Sequence, residues 1–510
     1  MSRLVRNILY NLVGQGIVLL LGFVAVKYIF GSLGGDALGI IYFSAMINAI
    51  LMGVLEKGIY STTVREVSLN AESDKGYTHK FISTVSLFTW AAVLLFSIVV
   101  LLFSPIFVER WLNLTSIEPS AATTALRMLG VASLLAFPVS FYASILRGLQ
   151  KMGYVNAIAV GTTAFQQLGI VIIISYTGEL IWVIAWISAS HLLKLFTHLI
   201  ICRKYFPLSA FIPSYDKSVI KKISSFSIKM TYISILDIIH KQVDKFALSK
   251  IVTIEVLGYY GFVYTAISKG GLLALSIANA SYPSLCELYA NKDKKKLVQQ
   301  YNKLLELVLY ISIPVFALII YFALPLFEYV FNKEISDKLF YPVVLLCIGY
   351  YLNGTLSIPY RLILASGKPE IAVRFDVLAL FIVPPVTVIL VFYYDILGAS
   401  MGLILYFIIG YIYTIPVTYR ECLQISAAGF YKILLRVILI MLPTYLPGFL
   451  YLFNNQLMSI VNLLICYTLS TALYLVLSYL IITKSLRLTI NHQVLNIFLL
   501  TLKRDGNKKA

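Results

Sequence analysis

The sequence predicts an all-α polytopic membrane protein: about 14 transmembrane helices, two six-helix lobes related by a parallel repeat, and two C-terminal helices. Three observations predict it. Of the 510 residues, 60% are hydrophobic and only 13% charged, and mean hydropathy is +0.87. Soluble domains run about 45–50% apolar and about 25% charged, so this chain cannot cover a water-facing surface. Its apolar residues also fall into runs of bilayer length, and the first half of the chain partly repeats in the second.

About 20 apolar residues cross a bilayer as a helix, in which every backbone group is bonded internally. Fourteen runs meet that length, near 8–30, 38–60, 81–103, 121–145, 156–177, 180–202, 223–248, 256–283, 303–325, 339–363, 375–394, 397–419, 432–453 and 458–483. The first begins near Ile8 and is long enough to span, so it reads as a span rather than a cleaved signal. The seventh is the most polar, with Lys229, Asp237, Lys241, Asp244 and Lys245. The expected divisions are an N-terminal lobe 1–205, a linker 206–222, a C-terminal lobe 223–420, two extra helices in 421–483 and a basic tail 484–510. That tail carries an amphipathic stretch, Val494–Leu502, suited to an anionic leaflet.

Charge gives the sidedness. Of 41 Lys and Arg, eight fall within spans and four (Arg110, Lys250, Lys333, Lys338) in loops on one side, which leaves 29 on the other, counting Lys303, Arg361, Lys432 and Arg436 at span edges with the adjoining loops. The positive-inside rule then places both termini in the cytoplasm. The net charge of +18 is mostly topology, and no nucleic-acid partner is expected. The five Cys are scattered without a CxxC pair and read as buried thiols.

One constant shift along the chain superposes Asp36–Phe43 on Glu255–Phe262. The same shift carries Leu69, Ala71, Asp74 and Lys75 onto Leu288, Ala290, Asp293 and Lys294, and Gly148 onto Gly367. Six spans separate the copies, an even number, so both halves run in the same orientation about an axis along the membrane normal.

Ionisable groups inside a bilayer are costly and face a cavity or one another. With Lys303, Glu306, Arg361, Asp376, Lys432 and Arg436 at span edges left to the loops, they are Lys27, Glu56, Lys57, Arg127, Lys194, Lys229, Asp237, Lys241, Asp244, Lys245 and Lys269, eight cations against three acids. Several lie near span ends, where long side chains can reach the headgroups. Others resist that reading. Asp237, Lys241, Asp244 and Lys245 share one helical face of span seven, and His191, Lys194 and His198 one face of span six. Lys269 lies mid-span, Asn7, Asn11 and Gln15 stripe span one, and Gln166–Gln167 sit in span five. The pattern fits a water-filled cationic cavity whose substrate-binding candidates are Lys194, Lys241, Lys269, Arg127, Lys27, His191 and His198. The competing account is a set of neutralised pairs such as Asp237–Lys241. If a proton or sodium ion drives a cycle, Asp237 and Asp244 are the candidate carriers. Two His and a Lys make no metal site, and no cofactor is expected. The chain has no GxxxxGK[ST], no HExxH and no nucleophile elbow, so it does not read as an enzyme.

The residues Asn11-Leu-Val-Gly14, Gly34-Gly35-Asp36-Ala-Leu38-Gly39, Arg65-Glu66, Arg147–Asn156 and Val256-Leu-Gly-Tyr-Tyr260 carry a resemblance. The chain resembles the polysaccharide transporter branch of the multidrug/oligosaccharidyl-lipid/polysaccharide exporter superfamily, most nearly the Wzx-type O-antigen flippases. The resemblance implies alternating access by two lobes that carry an undecaprenyl-pyrophosphate-linked oligosaccharide from the inner to the outer leaflet. It implies membrane lipids, a polysaccharide polymerase and chain-length machinery as partners. Lining cations would offset the cargo's negative charge, and Tyr rings, 36 in the chain, could stack on sugars. The alternative within the superfamily is a multidrug cation exporter, which would want acids where this chain has lysines.

Overall fold

The structure is a computed structural model that describes residues 3–454, 459–483 and 486–488; side chains at 3–13, 54–57, 225, 226, 229, 230 and 233 lie outside that description. Asn7, Asn11, Glu56, Lys57 and Lys229 are therefore not placed as side chains, and Val494–Leu502 lies outside the described residues.

Fifteen α-helices follow one another among the described residues: α1 (Arg3–Leu55), α2 (Ser61–Asn70), α3 (Lys75–Ile106), α4 (Pro119–Ser133), α5 (Ala136–Gly148), α6 (Met152–Thr177), α7 (Leu180–Cys202), α8 (Lys217–Ile251), α9 (Ile254–Ser268), α10 (Leu272–Ala290), α11 (Lys294–Val330), α12 (Lys333–Ala365), α13 (Glu370–Thr418), α14 (Ala428–Asn454) and α15 (Ile460–Ile481). Eleven stretches are long and apolar enough to cross a membrane. Two of these, α1 and α13, are each interrupted by one residue off the helical path: Gly34 (φ 80°, ψ 178°) and Asp395 (φ 47°, ψ −127°). Each interruption separates two of the expected spans. The charged α8, which is not among the eleven, coincides with span seven, so the expected spans lie on helices apart from short breaks and their ends. Span four is divided at Leu134–Leu135 between α4 and α5, and span eight at the tight turn Lys269–Gly271 between α9 and α10.

Gly34 sits where the sequence places the first turn, and a positive φ of this kind favours glycine. Helix starts are set by short acceptors. Asp74 Oδ1 takes the Tyr77 N–H (2.8 Å), Asp293 Oδ1 the Lys296 N–H (3.1 Å), and Asn332 Oδ1 the Ile335 N–H (2.8 Å). Asp74 and Asp293 are matched by the shift that superposes the two halves, so the repeat extends to the hydrogen bonds that open α3 and α11.

Beyond the fourth span the repeat changes register. At the end of α5, Lys151 N bonds Leu146 O (2.8 Å) and Gln150 N bonds Arg147 O (2.9 Å). The same pair of bonds closes α12, from Lys368 to Ile363 O (3.1 Å) and from Gly367 to Leu364 O (3.1 Å). Gln150 (φ 58°) thus matches Gly367 (φ 69°), two positions short of the shift that holds earlier in the chain. The expected match of Gly148 with Gly367 is corrected accordingly. Gly148 lies inside α5, where a Cβ would stand 2.8 Å from Val67 Cβ, so it is small for packing and not for a left-handed turn.

The chain forms two compact units, Val13–Val263 with Asp376–Leu403, and Tyr264–Phe375 with Ile404–Ala510 and Met1–Leu12. In the first, Phe81, Phe137, Phe141, Tyr142, Ile145 and Leu146 build a core between α3, α5 and α7. The connection after α7 is pinned to it: Ser86 Oγ donates to Phe211 O (2.9 Å) and Ser214 N to Ser83 O (3.2 Å).

The second unit is joined by tyrosines. Tyr474 donates to Tyr310 O (3.1 Å), Tyr321 to Tyr445 O (2.6 Å), Tyr467 to Pro314 O (3.0 Å), Tyr431 to Tyr411 O (2.8 Å) and Tyr351 to Leu309 O (3.2 Å). The first of these has a local cause. Pro314 has no N–H to give the carbonyl four residues back, Tyr310, and the Tyr474 hydroxyl supplies the missing donor. All five Cys are free; Cys202, Cys347 and Cys422 are buried, and Cys286 and Cys466 partly so.

Candidate functional site

Most of the ionisable residues within spans belong to the first unit. Asp237 and Lys241 form an ion pair one helical turn apart on α8 (2.9 Å and 3.0 Å to the two carboxylate oxygens). Both line a cavity of about 220 Å³ between α1 and α8, with Ala49, Met52, Gly53, Ser234, Ile238 and Gln242. The Gln242 Oε1 is buried there without a hydrogen-bond partner among the described residues. The packing that shapes this cavity depends on small residues: a Cβ at Gly53 would run into Ile238, and one at Gly58 into Thr231.

One turn further along α8 the environment changes. Asp244 is buried and accepts from Tyr260 Oη (2.9 Å) and Lys245 Nζ (3.1 Å), while the same Nζ reaches Lys241 O (2.7 Å). Both Asp244 oxygens are engaged, and this pair ties α8 to α9. His240 donates Nε2–H to Asp376 O (2.9 Å).

On α7, His198 is buried and its Nδ1–H returns to the Lys194 carbonyl (2.8 Å), a bond within the helix. Lys194 and His191 are half-buried, and among the described residues Lys194 meets no carboxylate. Arg127 donates Nε–H to Leu101 O (3.1 Å), a tie between α4 and α3, and Lys27 is half-buried on α1. In the second unit, Lys269 is exposed at the break between α9 and α10 and makes no ion pair among the described residues.

The structure thus brings Asp237 to Lys241 and Asp244 to Lys245. It leaves Lys194 and His191 on their own face of α7, and it gives Arg127 a backbone partner. Sequence reasoning missed Ser234 and Gln242. Ser234 lies three residues before Asp237 and seven before Lys241, spacings that put it on the same face; Gln242 offered no such signal.

The second unit also holds an apolar groove of about 660 Å³ bounded by α11, α12, α13 and α14, where Phe316, Ile320, Val344, Ile348, Ile412 and Leu446 offer room for hydrocarbon rather than sugar.

The turn motifs acquire causes as well. The Asp36 carboxylate is buried and receives the N–H groups of Thr115 (2.8 Å), Ser116 (2.7 Å) and Ile117 (3.1 Å) and the Thr115 hydroxyl (2.6 Å). Beside it, Asn113 pairs with Thr253 as a single strand-like bridge, and Ile254 N bonds Asn113 O (2.9 Å). Glu66 is buried and gathers Tyr77 Oη (2.9 Å), Arg65 (3.7 Å) and Lys222 (3.8 Å).

With this geometry in hand, comparison with known proteins is decisive for the family. Residues 4–289 match the profile of the family described as polysaccharide biosynthesis protein. The chain belongs to that family. A candidate O-antigen transporter of Shigella flexneri is 24% identical over 400 residues, 78% of this chain and 94% of the relative. A capsular polysaccharide biosynthesis protein, CapF of Staphylococcus aureus, is 22% identical over 183 residues, 36% of this chain and 46% of the relative. Among solved structures, the lipid II flippase MurJ in an inward closed conformation superposes with a TM-score of 0.70 at 16% identity, over 92% of this chain and 98% of MurJ. An inward-facing MATE-family multidrug transporter of the MOP superfamily gives 0.63 at 16% identity, over 79% and 97%. The fold is therefore that of the MurJ and MATE transporters, and the protein is a multi-pass membrane protein.

Proposed function

We propose that this protein is a flippase that carries an undecaprenyl-pyrophosphate-linked oligosaccharide, an O-antigen, capsule or exopolysaccharide repeat unit, from the inner to the outer leaflet by alternating access. The observation that carries the reading is the excess of cations within the spans, Lys194 and Lys269 above all, which meet no carboxylate among the described residues. An ammonium placed mid-span costs about 2.5–3.5 kcal/mol on insertion scales, and an anionic cargo in a wet cavity offsets it. The relatives named for O-antigen transport and capsule synthesis support the same cargo class.

In this reading the N- and C-termini are cytoplasmic, lobes 1–205 and 223–420 rock about the cargo, and the chain works as a carrier without catalysis. Asp237, which faces a small polar cavity, is the carboxylate placed to respond to a proton or sodium gradient. A polymerase and chain-length machinery would receive the flipped unit.

The test is complementation of a flippase-null strain, scored by surface polysaccharide. Restored polysaccharide is the expected result. A stably inserted protein that restores none, while lowering accumulation of a cationic dye, would instead make it a multidrug exporter.

A further inference from the structure

Along α9 and α10, Thr265, Lys269, Ser276 and Asn279 follow one another at intervals of four, seven and three residues, which keeps them near one face. Thr265, Lys269 and Asn279 are exposed and Ser276 half-exposed. Polar residues within a span avoid lipid, so such a stripe borders water. At its far end stands Arg361 of α12. Its guanidinium carbon lies 6.0 Å from the Tyr282 ring centre and 5.6 Å from that of Tyr360, and an Nη donates to Asn279 Oδ1.

Aromatic contacts of this kind use the face of the guanidinium and leave its in-plane donors available. Of those donors, one Nη–H is taken by Asn279 and Nε is buried without an acceptor among the described residues, so an incoming anion meets the remaining Nη–H groups. No carboxylate pairs with Arg361 among the described residues either. A charge held in position by two rings and an amide, without a counter-ion, is a built site for an anion with two adjacent oxygens, for which the guanidinium fork is the matching donor.

We propose that Arg361 is an anion-binding station at the inner-leaflet end of this stripe, and that it takes the diphosphate of the lipid-linked cargo before the headgroup reaches Lys269. This rests on the flippase reading. It adds a recruitment step to it: the guanidinium orients the diphosphate by paired hydrogen bonds, and Lys269, a point charge further along the stripe, receives it.

The experiment uses the full-length protein purified in detergent, with farnesyl diphosphate, farnesol and a phosphatidylglycerol as probes in a binding titration. The expected result is that farnesyl diphosphate binds, farnesol does not compete, Arg361→Gln weakens the diphosphate about tenfold, and Arg361→Lys weakens it less. If the wild-type protein does not prefer farnesyl diphosphate to farnesol, the flippase reading falls and this site with it. If it does, and Arg361→Gln binds as wild type while Lys269→Gln does not, only the Arg361 station is overturned. Phosphatidylglycerol displacing the diphosphate at equal concentration, with the same sensitivity to Arg361→Gln, would make the site one for bulk headgroups and overturn it as well. Should Arg361→Gln melt early, Arg361→Lys, which keeps the charge, decides: unchanged diphosphate affinity refutes the station, and a selective loss supports it.

Discussion

Gly39 and Gly258 occupy the same position in the two copies of the repeat, and they touch backbone to backbone. A Cβ built on Gly258 would lie 2.7 Å from the Gly39 nitrogen and 2.9 Å from its Cα. The contact explains why both copies keep Leu-Gly at this place. It also requires both residues to lack a side chain.

The first prediction follows directly. Gly258→Ala forces a methyl group against a backbone that cannot retreat, and overpacking of this kind costs about 1–3 kcal/mol. Gly22→Ala, where nothing stands within 4 Å of the new Cβ, should be neutral or slightly stabilising. Melting in detergent should separate the two substitutions, and equal melting would show that the Gly39–Gly258 contact is not tight.

A second prediction concerns Tyr474 and Pro314. Tyr474→Phe leaves the Tyr310 carbonyl without a donor in an apolar interior, at a cost of about 1–3 kcal/mol. Pro314→Ala restores the helical N–H, so the double variant should lose less than Tyr474→Phe alone. A double-mutant cycle on thermal stability reads the coupling. Strict additivity would mean that the hydroxyl does not substitute for the proline's missing donor.

Lys194 separates cargo binding from structural pairing. Asp237, the acid that could have answered it, is held by Lys241 at 2.9 Å. Lys194→Ala should therefore insert and melt as the parent does, yet restore little surface polysaccharide, and Lys194→Glu should restore least. Full export by Lys194→Ala would remove this side chain from the cargo path.

The two acids of α8 should behave differently. Asp244, buried between Tyr260 and Lys245, is expected to lose stability as Asp244→Asn, because Lys245 then keeps its charge without a full counter-charge. Asp237→Asn should leave melting nearly intact and alter how export depends on the ion gradient. Export by Asp237→Asn with an unchanged gradient dependence would take Asp237 out of coupling.

At the loop edges, the caps carry a pH signature. Hydrogen bonds from Ser218 and Val219 hold the Asp216 carboxyl below its ordinary 3.8, and those from Lys296 do the same for Asp293. A carboxyl with a lowered folded-state pKa stabilises at neutral pH and loses that contribution as pH falls below the ordinary value through the folded one. Asparagine also caps well. The Asp216→Asn, Asp293→Asn variant should thus melt with a slightly shallower decline than the parent between about pH 5 and about pH 3, a small effect because both caps face water. An identical decline would show that other carboxylates set the acid limit.

Much of the fold was legible because bilayer thickness fixes the length of an apolar run. Even the two turns hidden within α1 and α13 fell between runs of the right length. Register was less legible: Gly148 and Gly367 share a letter but not a backbone conformation, and only the hydrogen bonds at Lys151 and Lys368 reveal the slip of two positions. Within α8 the Asp237–Lys241 pair followed from a four-residue spacing. Partners on different helices, such as Asp244 with Tyr260, or Asn279 with Arg361, leave no periodic trace. Arg361 in particular reads as one more loop cation until Asn279 and Tyr282 are seen beside it.

The seam at Asn113, Thr253 and Asp36 bears on how readily such a carrier can change state. Across it run hydrogen bonds from Asn113 Nδ2 to Lys250 O (3.0 Å) and from Ile254 N to Asn113 O (2.9 Å), beside a single ring contact of Trp111 with Phe246 (4.9 Å), while Asp36 braces the Asn113 side by holding Thr115, Ser116 and Ile117. Water can replace hydrogen bonds one for one, so each costs only about 0.5–1.5 kcal/mol net to exchange. A closure of that kind behaves like a wet zipper: several stitches together keep it shut at rest, yet it parts stitch by stitch and re-forms in register, with only a narrow apolar strip at Trp111 and Phe246 to be wetted while it stands open.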